Sequence, residues 1–263
     1  MEVALVILFF ILGSAVGSFL NVCMDRLPTD RSLLRPTSHC DSCQHPLAVS
    51  DLVPIFSYLW LRRRCRYCQA LLPRRPFWVE LGSAGLFAFG YWYYGLSIDL
   101  AVIIFYCCLF IVLAVIDLEH GLILNKIVYP AVVVALIISA FYPPSGIVDL
   151  ALPWPWFGLV NSITGGAIGL IFFLLPALIY PEGMGWGDIK MAGLIGLVVG
   201  SGLVLFALLI GIILGGLVAG VLLLLKVRRW REAIPFGPFL SVGTIAILLW
   251  SSDIINWYLG LFF

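Results

Sequence analysis

Charged side chains are scarce in this sequence. Only 11% of the 263 residues are Asp, Glu, Lys or Arg, whereas 62% are hydrophobic and the mean hydropathy is +1.10. Soluble globular domains carry about 25% charged residues, so the composition excludes an ordinary soluble domain. The apolar runs last about 17–25 residues, which is the length an α-helix needs to cross a bilayer, and they lack the short alternating segments of a β-barrel. The sequence therefore predicts an all-α polytopic membrane protein.

About eight transmembrane helices are predicted, and the sixth of them is short. The predicted spans are 3–22, 78–96, 98–116, 126–142, 158–180, 189–200, 202–225 and 239–260. Residues 1–20 contain no Lys or Arg, so they lack the basic start of a cleaved signal peptide and are expected to remain as the first span. We find no convincing internal repeat in the sequence.

The positive charges are few and unevenly distributed. Nine of the 15 Lys and Arg residues lie between Arg26 and Arg75, and four more lie between Lys226 and Arg231. If the N-terminus is outside, every Lys and Arg falls in or beside one of the inside loops, which are 23–77, 117–125, 181–188 and 226–238. The positive-inside rule thus predicts that these loops are cytoplasmic and that both termini are outside. The net charge of +1 gives no indication of nucleic-acid binding.

Four of the seven cysteines form two CxxC pairs in the basic segment after the first span. The spacing is C-x2-C-x21-C-x2-C, and the residues are Cys40, Cys43, Cys65 and Cys68. Two thiolate pairs on tight turns are typical of tetrahedral structural zinc, in which four Cys ligands leave no open position for catalysis. Disulfides or free thiols are the alternatives, and a reducing cytoplasm argues against disulfides. His39 and His45 flank the first pair and are further candidate ligands.

Two aspartates lie at the predicted inner boundary of the membrane. Asp117 closes the third span in "VLAVIDLEHGLI", and Asp188 opens the sixth in "GMGWGDIKM". They are far apart in sequence, but the predicted topology gives them the same depth. Two carboxylates a few Å apart share one proton, so the ionised one can activate a water while the protonated one donates to a leaving amine. Gly185 and Gly187 would let a polypeptide backbone approach this site closely.

Each aspartate also has a purely structural interpretation. Asp188 lies where an N-cap residue would satisfy the free amides of a helix start, and Asp117 is placed to face interfacial water. Glu119 competes with Asp117 as the reactive acid, although on a helix it points about 200° away. One boundary aspartate alone would favour the structural interpretation, whereas the pair in a GxGD context favours catalysis.

The order of these motifs resembles that of bacterial type IV prepilin peptidases, and the resemblance covers nearly the whole chain. The matching segments are "GSFLNV" (17–22) with Arg26 and Pro28, both CxxC pairs, "RRPFWVE" ending at Glu80, Asp117 in "AVIDLEHGLI", Gly185-x-Gly187-Asp188 followed by Lys190, and "IPFGPFLSVG" (234–243). Family members usually have Leu-Pro shortly after the first aspartate, whereas this chain has Leu124-Asn125. This departure concerns the local backbone and leaves the expected chemistry unchanged.

The resemblance implies a GxGD intramembrane aspartyl protease of the inner membrane. Asp117 and Asp188 would be its catalytic residues, with Gly185, Gly187 and Lys190 completing the motif. The implied substrates are prepilins or pseudopilins of pilus and type II secretion systems, whose basic leader is removed at the cytoplasmic face. A helical substrate in the bilayer must be cut at that interface, which agrees with the predicted depth of both aspartates.

The family is bifunctional, so the resemblance also implies N-methylation of the new N-terminal residue from S-adenosylmethionine. Asn21, Arg26 and Glu80 are the methyltransferase candidates, because they are polar residues of family-like motifs at the inner end of the first two spans. The alternative for Glu80 is an ion pair with Arg74 or Arg75 that only anchors the helix. The expected domains are the first span (1–22), a cytoplasmic zinc-binding loop (23–77) and a membrane bundle with the protease site (78–263).

Two other classes of protein would explain part of the pattern. A transporter would use the two acids as a proton relay, but this leaves the cysteine loop unexplained. A non-enzymatic assembly scaffold would use the loop as a docking module and would tolerate loss of either acid. The preflagellin peptidases resemble this family in their aspartates but lack the long cysteine loop, so the loop favours the bifunctional branch. The sequence has no Gly-rich Rossmann turn, and it does not define an oligomeric state.

Overall fold

The computed structural model describes residues 2–35, 38–40, 42–142, 156–180, 185–226 and 234–262. Apart from two isolated β-bridges, the regular structure of these residues is helical. The α-helices are α1 (Glu2–Arg26), α2 (Phe56–Trp60), α3 (Arg75–Tyr94), α4 (Ile98–His120), α5 (Asn125–Phe141), α6 (Trp156–Ile179), α7 (Trp186–Val199), α8 (Val204–Leu224) and α9 (Gly237–Phe262), and a 3-10 helix covers Val49–Leu52. The predicted all-α class is therefore confirmed.

Four of the described helices, α1, α4, α6 and α8, are long and apolar enough to cross a membrane. The chain is thus a multi-pass membrane protein. Each of the other four predicted spans also contains a helix, but α7 has only 14 residues. At 1.5 Å per residue such a helix covers about 21 Å, which is less than the roughly 30 Å of a hydrocarbon core. The number of eight spans and the outside position of both termini remain predictions.

The chain divides into two compact units, Met1–Cys108 and Leu109–Phe263. In the first unit, α1 and α3 pack against each other as an antiparallel pair. Phe9 stacks on Tyr91 at one end, with ring centroids 4.6 Å apart, and Asp25 pairs with Arg75 at the other end, over 2.6 Å. Gly17 faces the Ser83 hydroxyl so closely that any side chain would collide with it. Helix α3 begins with Pro76 in its first turn, where the missing N–H has no cost.

In the second unit, α7 is the central helix and is buried along nearly its whole length. Met191, Ala192, Leu194 and Ile195 are fully buried. Helix α6 packs directly on it, because Gly196 of α7 lies against the carbonyl of a glycine in α6. The short helix ends at Gly200, which has a φ of +79°, and the chain turns at once into α8. The short sixth span is therefore joined to the seventh by a tight turn.

The segment between α4 and α5 replaces the Leu-Pro of the family with an ordinary helix start. Gly121 takes a φ of +64° and donates its N–H to the Asp117 carbonyl, which ends α4. Leu124 is extended, and its carbonyl accepts the N–H groups of Ile127 and Val128 in the first turn of α5. Most of the segment between the fourth and fifth predicted spans, residues 143–155, and parts of the inside loops at 181–188 and 226–238 lie outside the described residues.

Candidate active site and metal centre

Asp117 is buried at the end of α4 and is held by a backbone amide from a distant part of the chain. Only 5% of its surface is exposed. The N–H of Gly237, the first residue of α9, donates a 2.8 Å hydrogen bond to its Oδ2. A Cβ on Gly237 would lie 2.7 Å from that oxygen, so only glycine allows the backbone to approach this closely. Asp117 is therefore a fixed polar group within the second unit.

Asp188 is the third residue of α7. The N-cap is Gly185, and the Asp188 carboxylate accepts a hydrogen bond from the Gly185 N–H. The N-cap position expected for Asp188 is thus wrong by three residues, because the helix begins at Trp186 rather than after the aspartate. A carboxylate at this position still receives an amide of the helix start, as in a capping box.

The two aspartates belong to the same unit and lie close enough for the charge of one to act on the other. Asp117 is buried and Asp188 is half-buried, whereas Glu119 is exposed on the opposite side of α4. This difference supports Asp117 over Glu119 as the partner of Asp188. Two carboxylates whose charges interact, one buried and one half-buried, favour the state in which one is ionised and the other protonated.

The other residues of the GxGD motif connect α7 to the segment that follows Asp117. A Cβ on Gly187 would lie 3.0 Å from the Cβ of Ile123. Lys190 donates a 2.9 Å hydrogen bond to Oδ1 of Asn125 and lies 5.6 Å from the centre of the Tyr129 ring. Through these contacts the starts of α5 and α7 are fixed beside each other. Gly183, which lies two residues before this motif in the sequence, is outside the described residues.

The four predicted cysteine ligands form one cluster in the first unit. Their sulfur atoms all lie within 4.8 Å of one another, and the Cys40 and Cys68 sulfurs are 3.8 Å apart. A tetrahedron with zinc–sulfur bonds of about 2.3 Å has edges of about 3.8 Å, so the Cys40–Cys68 distance matches such an edge and the whole cluster is close to that size. All four cysteines of this cluster are free thiols rather than disulfide-bonded. His45 is not in the cluster, since it stacks on Tyr67 with ring centroids 3.7 Å apart.

Two copies of the same turn build this cluster, which corrects the expectation of no internal repeat. In the first copy, the Cys40 N–H donates a hydrogen bond to the His45 carbonyl, and the Gln44 N–H donates one to the Cys40 carbonyl. In the second copy, the Cys65 N–H donates to the Ala70 carbonyl, and the Gln69 N–H donates to the Cys65 carbonyl. Gln44 and Gln69 both take a positive φ, near 60°. The sequence signal was present as C-x2-C-Q-x2-L at 40–47 and 65–72.

The electrostatics of the cluster favour a bound cation. Backbone N–H groups of Cys43 and Ser42 lower the pKa of the Cys40 thiol to about 6. The Ala70 N–H lowers the pKa of Cys68, but burial and the neighbouring thiols raise it further, to about 11. The Cys68 thiol therefore keeps its proton near neutral pH in the absence of a metal, and a divalent cation would displace that proton.

Two of the three methyltransferase candidates lie at the contact between α1 and α3. Asn21 and Glu80 are both buried. Asn21 Nδ2 donates to the Pro76 carbonyl over 3.2 Å, and its buried Oδ1 has no hydrogen-bond partner among the described residues. Arg26 points instead to the loop after α1, where Nη1 donates to the carbonyls of Ser32 and Leu33. Asn21 thus carries an unused acceptor, while Arg26 holds the loop.

Glu80 connects the cysteine-containing loop to α3. Its Oε2 accepts the N–H of Ile55 over 2.8 Å, and its carboxylate also accepts the Ser18 hydroxyl. Arg75, suggested from the sequence as an ion-pair partner of Glu80, pairs with Asp25 instead. Ile55 has a φ of +61°, an unusual conformation for a β-branched residue, so its tie to Glu80 holds the backbone in a strained shape.

Sequence reasoning did not find Gly237, Ser18 or Ile55 as partners of the candidate residues. Gly237 entered the sequence analysis only as part of the family-like segment 234–243. Its position between a Phe and a Pro was the feature of the sequence that could have drawn attention to it. Ser18 was present in the motif at 17–22 without an assigned role. Ile55 carried no signal, because an unusual backbone angle at a β-branched residue cannot be read from residue type.

The fold and the site define a class of protein: an all-helical membrane protein with a four-thiol cluster and two interacting acids, one buried and one half-buried. Two family models match the chain: the Bacterial Peptidase A24 N-terminal domain over residues 11–94 and the Type IV leader peptidase family over residues 104–220. Together with the relatives below, these matches mean that the chain belongs to the type IV leader peptidase family, as the sequence motifs predicted.

The similar proteins include several named prepilin leader peptidase/N-methyltransferase. The protein of Pseudomonas putida is 31% identical over 93% of this chain and 90% of its own length. The proteins of Bacillus subtilis and Pseudomonas aeruginosa are 29% and 28% identical, over 96% and 97% of this chain and over 97% and 94% of their own lengths. No solved structure matches the chain.

Proposed function

We propose that this chain is a bifunctional enzyme that removes the basic leader of type IV prepilins or pseudopilins and then N-methylates the exposed N-terminal residue. The observation that carries the proposal is the interacting pair Asp117 and Asp188 within one compact unit. The relatives that cover nearly the whole chain bear the name prepilin leader peptidase/N-methyltransferase. Neither the aspartate pair nor the similarity to these relatives depends on the cysteine cluster.

For the peptidase reaction we assign Asp117 and Asp188 as catalytic residues that share one proton. The ionised carboxylate takes a proton from water, whose oxygen attacks the scissile carbonyl; the protonated carboxyl group then gives its proton to the leaving amine as the C–N bond breaks. The Gly237 amide keeps one oxygen of Asp117 in place. Gly185 leaves room for the substrate backbone beside Asp188, whereas Gly187 lets Ile123 pack closely on α7, and Lys190 with Asn125 holds the start of that helix.

For the second reaction, S-adenosylmethionine would supply the methyl group that replaces a proton of the new N-terminal amine. Asn21 and Glu80 are the residues assigned to orient that amine. The unpaired Oδ1 of Asn21 is a free acceptor for an amine N–H, and the Glu80 carboxylate attracts its positive charge. Arg26, the third candidate, acts by holding the loop after α1 through the carbonyls of Ser32 and Leu33.

The cysteine cluster is proposed to hold one structural zinc ion. The sulfur spacing fits a zinc tetrahedron, and all four coordination positions are filled by protein ligands. The ion would stabilise a loop that has little apolar core of its own. No step of either reaction requires it.

The proposed location is the bacterial inner membrane, with the active site at the cytoplasmic face. The distribution of Lys and Arg supports inside positions for the loop 23–77 and for both aspartates, with the first span at 1–22 and the bundle at 78–263. Cysteine labelling from each side of spheroplasts tests this orientation, because a residue of the loop should react only after the membrane is opened.

One experiment tests both activities. The purified full-length protein in detergent is incubated with a prepilin and labelled S-adenosylmethionine, and leader release and methyl incorporation are followed separately. We expect both products, with methyl label only on the cleaved form. Detergent removes any ion gradient, so cleavage there also excludes a transporter that merely resembles a peptidase. Absence of leader release from a folded, zinc-loaded sample would contradict the proposal.

A further inference from the structure

An exposed apolar surface lies on the loop between the two cysteine pairs. It consists of Val53, Phe56, Leu59 and Trp60, and we refer to it as the Trp60 surface. Phe56, Leu59 and Trp60 are 73%, 60% and 83% exposed. A shallow groove of about 300 Å³ runs beside it and is lined by Phe56, Trp60 and Arg66 among others. Three large apolar side chains exposed within five residues are unusual for a segment in water.

The Trp60 surface is fixed at the end of the α1–α3 pair. The Ile55 N–H bonds to Glu80, and the Tyr58 ring stacks on Phe77 with centroids 5.0 Å apart. Glu80 and Phe77 belong to the first two turns of α3, where the side chains change from apolar to charged at Arg74 and Arg75. The predicted spans place the inner membrane boundary of α1 and α3 at this change. The Trp60 surface is therefore held at this depth rather than free to move away from it.

The charge around this surface is strongly positive. Residues 50–75 contain six arginines and one acidic residue, Asp51, which pairs with Arg66 over 2.8 Å. Arg62 and Arg64 lie two and four residues after Trp60 and are exposed. An exposed Trp next to several arginines combines the two signals of an interfacial segment: an aromatic ring for the headgroup region and cations for anionic lipid.

We propose that the Trp60 surface lies in the headgroup region of the bilayer, with Phe56 and Trp60 inserted at the interface and Arg62 and Arg64 on anionic lipid phosphates. The cysteine-containing loop would thus be docked on the membrane as well as anchored through α1 and α3. Apolar burial and charge attraction act together at such surfaces. The inference concerns this loop alone and does not depend on either catalytic activity.

Charge favours a lipid surface over a second copy of this chain and over a prepilin. A second copy of this chain would bring the same arginines into contact with themselves. A prepilin would approach with its basic leader, which the arginines also repel. An anionic bilayer surface is the occupant whose charge is opposite.

Photo-crosslinking of the full-length protein tests the proposal. The crosslinking amino acid p-benzoylphenylalanine is placed at position 60 in one sample and, as a control, at position 67. Tyr67 is an exposed aromatic residue of the same loop that stacks on His45 beside the cysteine cluster. Each sample is reconstituted in nanodiscs of phosphatidylcholine alone or with phosphatidylglycerol, and adducts are identified by mass spectrometry. Zinc content and helicity confirm that each variant is folded.

We expect phospholipid adducts at position 60 at several times the yield at position 67, with a further several-fold increase when phosphatidylglycerol is present. Replacing Arg62 and Arg64 with Gln should remove that increase. The crosslinking amino acid at position 56 should give the same result as at position 60. Agreement of the two variants shows that the result does not come from a folding defect caused by one substitution. Adducts to protein at position 60, equal lipid yields at positions 60 and 67, or no response to phosphatidylglycerol would overturn the proposal.

Discussion

The amide of Gly237 donates a 2.8 Å hydrogen bond to Oδ2 of Asp117 across 120 residues of sequence. This contact joins the first residue of α9 to the end of α4 and places a fixed dipole on one of the two proposed catalytic acids. A buried carboxylate needs such partners, because an unpaired charge away from water is costly. The contact therefore explains why a glycine occurs here, and it leads to the first prediction.

Replacing Gly237 with alanine should reduce leader cleavage strongly without preventing membrane insertion. The new Cβ would lie 2.7 Å from the Asp117 carboxylate and would push it out of line with Asp188. A displacement of about 1 Å in an active site costs roughly 100-fold in rate, so we expect a loss of about that size in kcat/KM. Gly216→Ala is the matched control, since a Cβ there meets nothing within 4 Å. Equal activities of the two variants would contradict this role of Gly237.

The positions of the helices could be predicted from the sequence, but most of the contacts that support the candidate site could not. Apolar runs located a helix in each of the eight predicted spans, and CxxC spacing located the thiol cluster. The predicted helix starts were less accurate. Helix α3 starts at Arg75 rather than at residue 78, because Pro76 suits a first turn, and α7 starts at Trp186 rather than at residue 189. The Gly237 and Ile55 contacts depend on long-range packing and on one unusual backbone angle, which residue patterns do not encode.

Glu80→Gln should abolish methyl transfer and preserve leader cleavage. The amide keeps the size of the side chain but removes the negative charge proposed to attract the substrate amine. Methyl incorporation and leader release on one prepilin substrate provide the two readouts.

Asp51→Asn is the control for the possibility that Glu80→Gln acts by loosening the cysteine-containing loop. It weakens a different contact of the same loop, the Asp51–Arg66 ion pair, and should leave methylation near normal. If Asp51→Asn and Glu80→Gln lost methylation equally, Glu80 would act only by fixing the loop.

Gly196→Ala should destabilise the second unit, whereas Gly193→Ala should not. A Cβ on Gly196 would collide with the carbonyl of Gly165 in α6, while one on Gly193 would meet the Leu170 side chain and the Gly166 carbonyl at 3.6 Å or more, which is ordinary contact. Overpacking of a well-packed interior costs about 1–3 kcal/mol, so the midpoint of thermal unfolding in detergent should fall for Gly196→Ala. Similar midpoints for the two variants would show that α6 and α7 do not pack through this glycine.

About one zinc ion per chain should copurify with the protein. Replacing both Cys40 and Cys43 with alanine should remove the metal and unfold the loop, but the spans should still insert because they satisfy their own backbone polar groups. Metal analysis of purified protein and trypsin sensitivity of the loop are the measurements. Cys108→Ala is the control, since this cysteine lies in α4 rather than in the cluster, and it should keep its zinc. A fully active, metal-free wild-type protein would contradict the assignment.

The most direct test of the account is the rate of leader release by Asp117→Asn and Asp188→Asn, compared with Glu119→Gln on the same prepilin. Each Asn variant keeps the shape of the side chain but cannot be the ionised or the protonated member of the pair. We predict that both Asn variants lose cleavage while they insert and purify normally. Glu119→Gln should retain most of the activity, because the Glu119 side chain is exposed. Cleavage near the wild-type rate by either Asn variant would contradict the catalytic pair.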